Sequence, residues 1–476
     1  MSQFKFSSKV DINKLFLVNR SELKGRLDTI FYKPLYVKNE EFIKKSKWGY
    51  EKISNLTQRI VDGPFGSDLK ANEYQPSGIP LLRVSNIKTG EVEGNIAFIS
   101  DVKQQQLKRS MVFPGDVLLT KAGAILGYSA VFPEHLKEGN ITSHLVTITC
   151  KKTINPHYLS HYFRCNIGQL QIYRWGNKST RPELNTSEVK NILVTVPPLD
   201  IQSKIVDTME AGYKSRQQKE QQAQALLAGI DAYLLAELGI TLPKQDNSLD
   251  KRIFKVQFKA VAGQRLDPLY FNTLGGGLFS SKYSYYKLSE IGHYFKSGFG
   301  AGKQDQVKEE IGIIQIRPTN INAQGELVFH KNVYVQMDEN SFLRYGDVLF
   351  NNTNSQELVG KTSLVDIENK KLTYSNHITV IRANQGELNP IYLQSILNLY
   401  QKQKYFYSIC TNWNNQSGVG VELLKNVKIP VPPINKQDDI VAHIQRIRFQ
   451  AKQLKTEAAQ ILADAKAEAE RLILGE

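Results

Sequence analysis

The chain is poor in cysteine. Three in 476 residues, Cys150, Cys165 and Cys410, give an odd count with no paired spacing. That excludes a disulfide framework and any zinc site built from cysteines alone, and it fits free thiols in a reducing cytoplasm. Long apolar runs are also missing, so no bilayer-spanning segment is expected. The first residues, MSQFKFSSKV, lack an apolar stretch of the secretory kind, so no leader is expected there.

Catalytic signatures are equally scarce. SGFGAGKQ (Ser297 to Gln304) has a phosphate loop's composition but not its GxxxxGK spacing, and Gln304 stands where a Ser or Thr would hold magnesium. DGPFGSDLK (Asp62 to Lys70) sits at the matching place earlier in the chain, with one glycine fewer. Both read as structural or DNA-contacting loops. No Asn-Pro-Pro-aromatic or Asp-Pro-Pro-aromatic stretch accompanies these glycines, which argues against a self-contained methyltransferase. His157 and His161 have the i, i+4 spacing of a metal pair, but no HExxH glutamate lies between them. His144 and His377 fall inside strand-like runs and read as packed histidines. No Ser/His/Asp set or carboxylate pair stands out. The chain reads as a binder.

Negative charge is in deficit. There are 46 acidic against 61 basic side chains, a formal charge of +15, which points to a polyanionic partner, most simply nucleic acid. Hydrophobic content of 41% and charged content of 22% are those of an ordinary globular protein, and 476 residues exceed one ordinary core.

What is present is a long internal repeat. TVPPLDIQSKIVDTM (Thr195 to Met209) returns as PVPPINKQDDIVAHI (Pro430 to Ile444). In the same order, Arg26-Leu27-Asp28 returns as Arg265-Leu266-Asp267. IPLLRVSNIKTGEV returns as IIQIRPTNINAQGEL, which pairs Arg83 with Arg317 and Asn86 with Asn320. FPGDVLL returns as RYGDVLF, TSHLVTI as SNHITVI, and NPHYL as NPIYL. A period this long means two whole domains of one fold rather than a solenoid.

Each repeat alternates short Val/Ile/Thr-rich runs with turn residues and interspersed helices, so the fold class is α+β with sheets of mixed direction. One helix is expected across HYLSHYFRCNIGQLQIY. After each Pro-Pro a long helix follows, since the proline pair ends the last strand. In the C-terminal helix Ile440, Ile444, Ile447, Ala451, Leu454, Ala458, Ile461 and Ala465 form an unbroken a/d seam. The central helix has Ile205, Met209, Ala223, Leu226, Ile230 and Tyr233, reads as interrupted near Gly212 and Arg216, and ends at a glycine cap near Leu238-Gly239. The two seams are expected to bury one another as an antiparallel coiled coil, with a globular domain at either end. The boundaries are 1–198 for the first domain, 199–245 for the central helix and linker, 246–433 for the second domain and 434–476 for the C-terminal helix.

The copies agree in framework and differ in loops. YRWGNKSTRPELN in the first offers Arg174, Lys178, Ser179, Thr180 and Arg181, and TKAGA adds Lys121. TNWNNQSGVG in the second offers Asn412, Asn414, Asn415 and Gln416, and NNTNSQ adds Asn351, Asn352 and Asn354. Lys70, Lys303 and Gln304 come from the glycine loops, and Arg83, Asn86, Arg317 and Asn320 from the paired framework runs. Arg and Lys match guanine edges and Asn and Gln match adenine edges, so these residues are the candidate DNA contacts.

This pattern resembles the specificity subunit of type I restriction-modification systems. The resemblance rests on the tandem domains, the GDVLL and GDVLF stretches, the VPP-hydrophobic-xxQ junctions and the two long helices, and it covers essentially the whole chain. It implies two target recognition domains, each reading half of a split site in double-stranded DNA, with the helices setting the gap. It also implies docked DNA adenine methyltransferase subunits and a restriction and motor subunit. The chain itself would have no active site, metal or cofactor; S-adenosylmethionine, ATP and magnesium would belong to the partners. Gly212 and Arg216 would then face a methyltransferase subunit. Two alternatives share some of these features: the recognition subunit of a type IIB-like enzyme, and a helical scaffold that binds no DNA.

Overall fold

The computed structural model describes residues 11–261 and 280–476, apart from 12–13, 24–25, 89, 124, 177–181, 243–252, 254, 337–340, 369, 385 and 415. Its contacts form two compact units: residues 1–220 with 455–476, and residues 221–454.

In the first unit, strands 57–62, 145–150, 117–120 and 129–131 make an antiparallel four-stranded sheet in that spatial order. A second sheet orders 97–99, 79–82, 139–141 and 111–112, with its central pair parallel. Strand 50–52 pairs with 193–195, immediately before Pro197-Pro198. The second unit repeats this plan. Its antiparallel sheet orders 292–297, 378–383, 348–351 and 362–364; a mixed sheet orders 334–335, 313–316 and 372–374; and strand 285–287 pairs with 428–430. The α+β class with mixed sheets is thus seen in both copies.

The recurring motifs are a bonded framework. After each Pro-Pro, the glutamine on the first turn of the long helix is fully buried. Gln202 accepts from the Asn155 N–H (2.7 Å) and donates to the carbonyls of Thr153 and Pro197. Gln437 accepts from the Asn389 N–H (2.9 Å) and donates to the carbonyls of Glu387 and Pro432. Asn155 and Asn389 cap the helices that start at Pro156 and Pro390. One turn on, Tyr158 and Tyr392 donate to the carbonyls of Thr195 and Pro430 in the strand before each proline pair. The NPxYL and VPPxxxQ stretches therefore recur together because each satisfies the other's buried backbone.

The glycine loops have a steric reason. A Cβ at Gly63 would lie 2.3 Å from the Thr142 carbonyl oxygen, and one at Gly298 would lie 2.1 Å from that of Tyr374. Only glycine fits where one backbone presses on another.

The long helices are Leu199–Leu238 and Ile434–Leu474. At 1.5 Å per residue each is about 60 Å long. Within the first unit they run antiparallel: Gly212 faces Ala465, and Lys219 pairs with Glu457 at 2.6 Å. Within the second, Tyr233 stacks on His443 with centroids 4.0 Å apart, and Lys436 pairs with Glu237 at 2.6 Å. The seam that reads as interrupted is not. Gly212 is buried, and a Cβ there would stand 2.5 Å from that of Ala465, so the missing side chain is what lets the helices approach. Arg216 leaves the seam and pairs along the helix with Glu220.

Both helix ends stop on left-handed glycines, Gly239 (φ +61°) and Gly475 (φ +80°). Ser281 donates to the Leu238 carbonyl at one end, and Ser46 and Trp48 donate to the carbonyls of Ile473 and Leu472 at the other. SKWGY (Ser46 to Tyr50) and SKYSY (Ser281 to Tyr285) are thus a further repeat, too short to stand out in the sequence.

The single helix expected across 157–173 is two, Pro156–Arg164 and Asn166–Gly176, because Cys165 takes an extended conformation between them. Among the described residues no helix is long and apolar enough to cross a membrane.

Candidate nucleic-acid interface

The candidate residues divide into those that build the domains and those left exposed. Arg174 is built in. It is 6% exposed, donates from Nε to the Phe31 carbonyl at 2.8 Å, pairs with Glu40 through Nη1 and lies over the Phe31 ring. As placed it holds the helix 166–176 against the N-terminal segment and offers nothing outward.

Asn86 and Asn320 are likewise buried, each closing a one-turn helix. Each accepts from the backbone N–H of Arg83 or Arg317 and donates to the carbonyl of Glu93 or Val328. Arg83 and Arg317 then spend a guanidinium nitrogen on the carbonyls of Asn95 and Ala301. Burial lowers Arg317 from the ordinary arginine value. Lys121 is largely buried and stands between Asp62 (3.5 Å) and Glu183 (4.0 Å), so its charge is balanced locally.

In the second unit Asn351 and Asn352 are buried too. Asn352 donates to Ser297, to the Asn376 carbonyl and to Thr379. Asn354 is half-exposed and accepts from the Ser355 N–H. Lys70, Lys303 and Gln304 are exposed, as are Asn412, Asn414 and Gln416. Lys178, Ser179, Thr180, Arg181 and Asn415 lie outside the described residues.

The exposed group in the second unit stands on a defined element. Strand 411–413 pairs with 416–418, and the latter pairs with 353–354, giving a three-stranded sheet. Asn414 has φ +39°, which a tight two-residue hairpin turn requires and asparagine tolerates. In the first unit an isolated bridge, Ala122 to Glu183, stands at the corresponding place.

The histidine and metal readings resolve differently. Among the described residues no cluster of three or more His, Cys, Asp or Glu could hold a metal ion. His161 is buried beside Arg164; burial first, then Arg164 and His157, push its pKa down to about 2. His144 is exposed and His377 half-buried, so His144 is not the packed histidine that its strand-like surroundings suggest.

The type I restriction modification DNA specificity domain, as a family pattern, matches this chain twice, over residues 66–228 and 280–462. The chain belongs to that family. The two matches follow the two repeats. The putative type I restriction enzyme MjaX specificity subunit of Methanocaldococcus jannaschii is 28% identical over 159 residues, 32% of this chain and 36% of that protein. The type I restriction enzyme EcoBI specificity subunit of Escherichia coli is 30% identical over 168 residues, 35% of this chain and 34% of that protein. The matched stretch therefore spans about a third of each relative. In fold, the specificity-domain chain resembles one solved in work on complex assembly and conformational transition of the type I R-M system. The TM-score is 0.54 at 16% identity, covering 89% of this chain and 96% of that one.

Proposed function

We propose that this chain is the DNA sequence-specificity subunit of a type I restriction-modification complex and reads a bipartite site with its two recognition domains. The observation that carries this is the doubled specificity domain: one bonded framework occurs twice, while the loops it supports differ. Two equal scaffolds with unequal loops suit two different half-sites, and the long helices are the elements that would fix the gap between them. The chain acts as the recognition component rather than as an enzyme. Adenine methylation, with its S-adenosylmethionine, belongs to methyltransferase subunits docked on it, and cleavage, with ATP and magnesium, to a restriction subunit. A complex acting on cellular DNA works in the cytoplasm.

The helices are the proposed methyltransferase dock, and Arg216, half-exposed beside Glu220, is on that surface. Arg216→Glu is expected to weaken co-purification with the methyltransferase subunit; undiminished co-purification would remove Arg216 from the dock.

The DNA reading is tested by titrating the purified chain with its methyltransferase partner against duplex DNA at rising salt. Phosphate neutralisation releases counterions, so affinity should fall steeply and log-linearly with salt. Assembly without salt-sensitive DNA binding would favour the scaffold reading.

A further inference from the structure

The hairpin of the second unit has two unlike faces. Cross-strand partners share a face of an antiparallel pair. Asn412 pairs with Ser417 in register, and its side-chain oxygen accepts from the Ser417 hydroxyl at 2.6 Å. Ser417 is buried, so this face looks toward the domain. Trp413 pairs with Gln416, and both are exposed on the other face. The Trp413 indole lies against Gly418; a Cβ there would come within 2.4 Å of the ring, so glycine is what makes room for the indole.

The base of the hairpin is rigidly held. Val419 donates its N–H to the Asn352 carbonyl at 2.9 Å, and Asn352 is itself tied to three groups of the core sheet and its flanking turn. Of the amides at the tip, Asn412 gives its oxygen to Ser417, while the side chains of Asn414 and Gln416 are exposed and make no hydrogen bond among the described residues. Asn414 lies in the turn itself, and Gln416 stands on the ribbon beside its cross-strand partner Trp413. The stretch Thr411 to Gly420 contains no charged residue, so nothing on it repels phosphates.

A two-stranded ribbon fits the major groove, and a glutamine amide there matches the N6 and N7 edge of adenine with both of its groups. We infer that Gln416, backed by Trp413, determines specificity at one A·T pair in the half-site read by the second unit. This rests on the proposed DNA-reading function and names a base class for it. A carboxamide serves because it donates to N7 and accepts from N6 at once. The neighbouring indole offers an apolar wall to the thymine methyl of the same or the adjacent pair.

The test is sequencing-based mapping of methylated sites in cells expressing the methyltransferase partner with wild-type chain, Gln416→Ala, Gln416→Arg or no chain. Gln416→Ala should relax one A·T position in one half of the motif, losing roughly 5- to 150-fold of discrimination there, with the other half and the gap unchanged. Gln416→Arg should shift that position toward G·C, since a guanidinium matches the O6 and N7 of guanine. An unchanged motif in both variants, relaxation at a G·C position, or uniform weakening at every site would overturn the assignment and leave the recognition-subunit reading standing. Wild-type methylation at the same sites without the chain would instead remove that reading itself.

Discussion

Arg59 donates a hydrogen bond to the buried carboxylate of Asp116 at 3.3 Å, reaching it from the strand beside Thr149. The second unit makes the same ion pair from the other strand. There Tyr294 occupies the position of Arg59, Arg382 that of Thr149, and Arg382 grips Asp347 with two bonds of 2.7 and 3.0 Å. Gly115 and Gly346, both in the left-handed region, turn the chain so that each aspartate also accepts from a backbone N–H three residues earlier. The GDV motif is a buried anchor whose cation has changed strands between the copies.

That exchange is testable by transplanting it. Asp347→Ala should destabilise the second unit by about 3 kcal/mol or more, because it leaves the Arg382 guanidinium, 17% exposed, without its partner. Arg59→Tyr alone should destabilise the first unit. Adding Thr149→Arg should recover most of that loss, read as recovered midpoint in a denaturant titration. A double variant no more stable than the single would show that the two cation positions are not interchangeable.

Gly212 offers a second test. With a Cβ there only 2.5 Å from that of Ala465, Gly212→Leu should force the helices apart and cost about 1–3 kcal/mol or more. Gly212→Ala should cost less, and Ala465→Gly in the same chain should relieve it. Thermal unfolding of the three variants checks the order.

Acid should weaken the first unit through His161. Its folded pKa of about 2 lies below the ordinary 6.5, so the unfolded chain binds the extra proton between these values. The stabilisation from keeping this histidine neutral is full above about pH 6.5 and declines as pH falls below it. A His161→Gln variant should therefore show a flatter loss of stability from pH 6.5 down to 4 than the parent. Parallel curves would mean that another group governs the acid limb.

The repeat was legible in the sequence because framework motifs keep their order and spacing, and the Pro-Pro junctions mark where sheet gives way to helix. The seam was legible from period alone in the C-terminal helix. In the central helix it was not, since Gly212 is silent in an apolar pattern yet lies directly against Ala465. Candidate contacts were legible as residue types and not as positions. Arg174, Asn86, Asn320, Asn351 and Asn352 have side chains suited to base edges, but the fold spends them on its own carbonyls and carboxylates. Burial decides between these uses, and burial depends on which sheet closes over the loop. Gln416, by contrast, faces outward from a hairpin that the buried Asn352 anchors.

If two unlike loop sets on one repeated framework read two halves of one DNA site, methylation directed by this chain should follow both halves at once. Mapping methylated adenines in cells that express the methyltransferase subunit with and without this chain tests that directly. The expected result is a split motif with a fixed unspecified gap, present only with the chain. A single undivided motif, or methylation that persists when the chain is omitted, would contradict it.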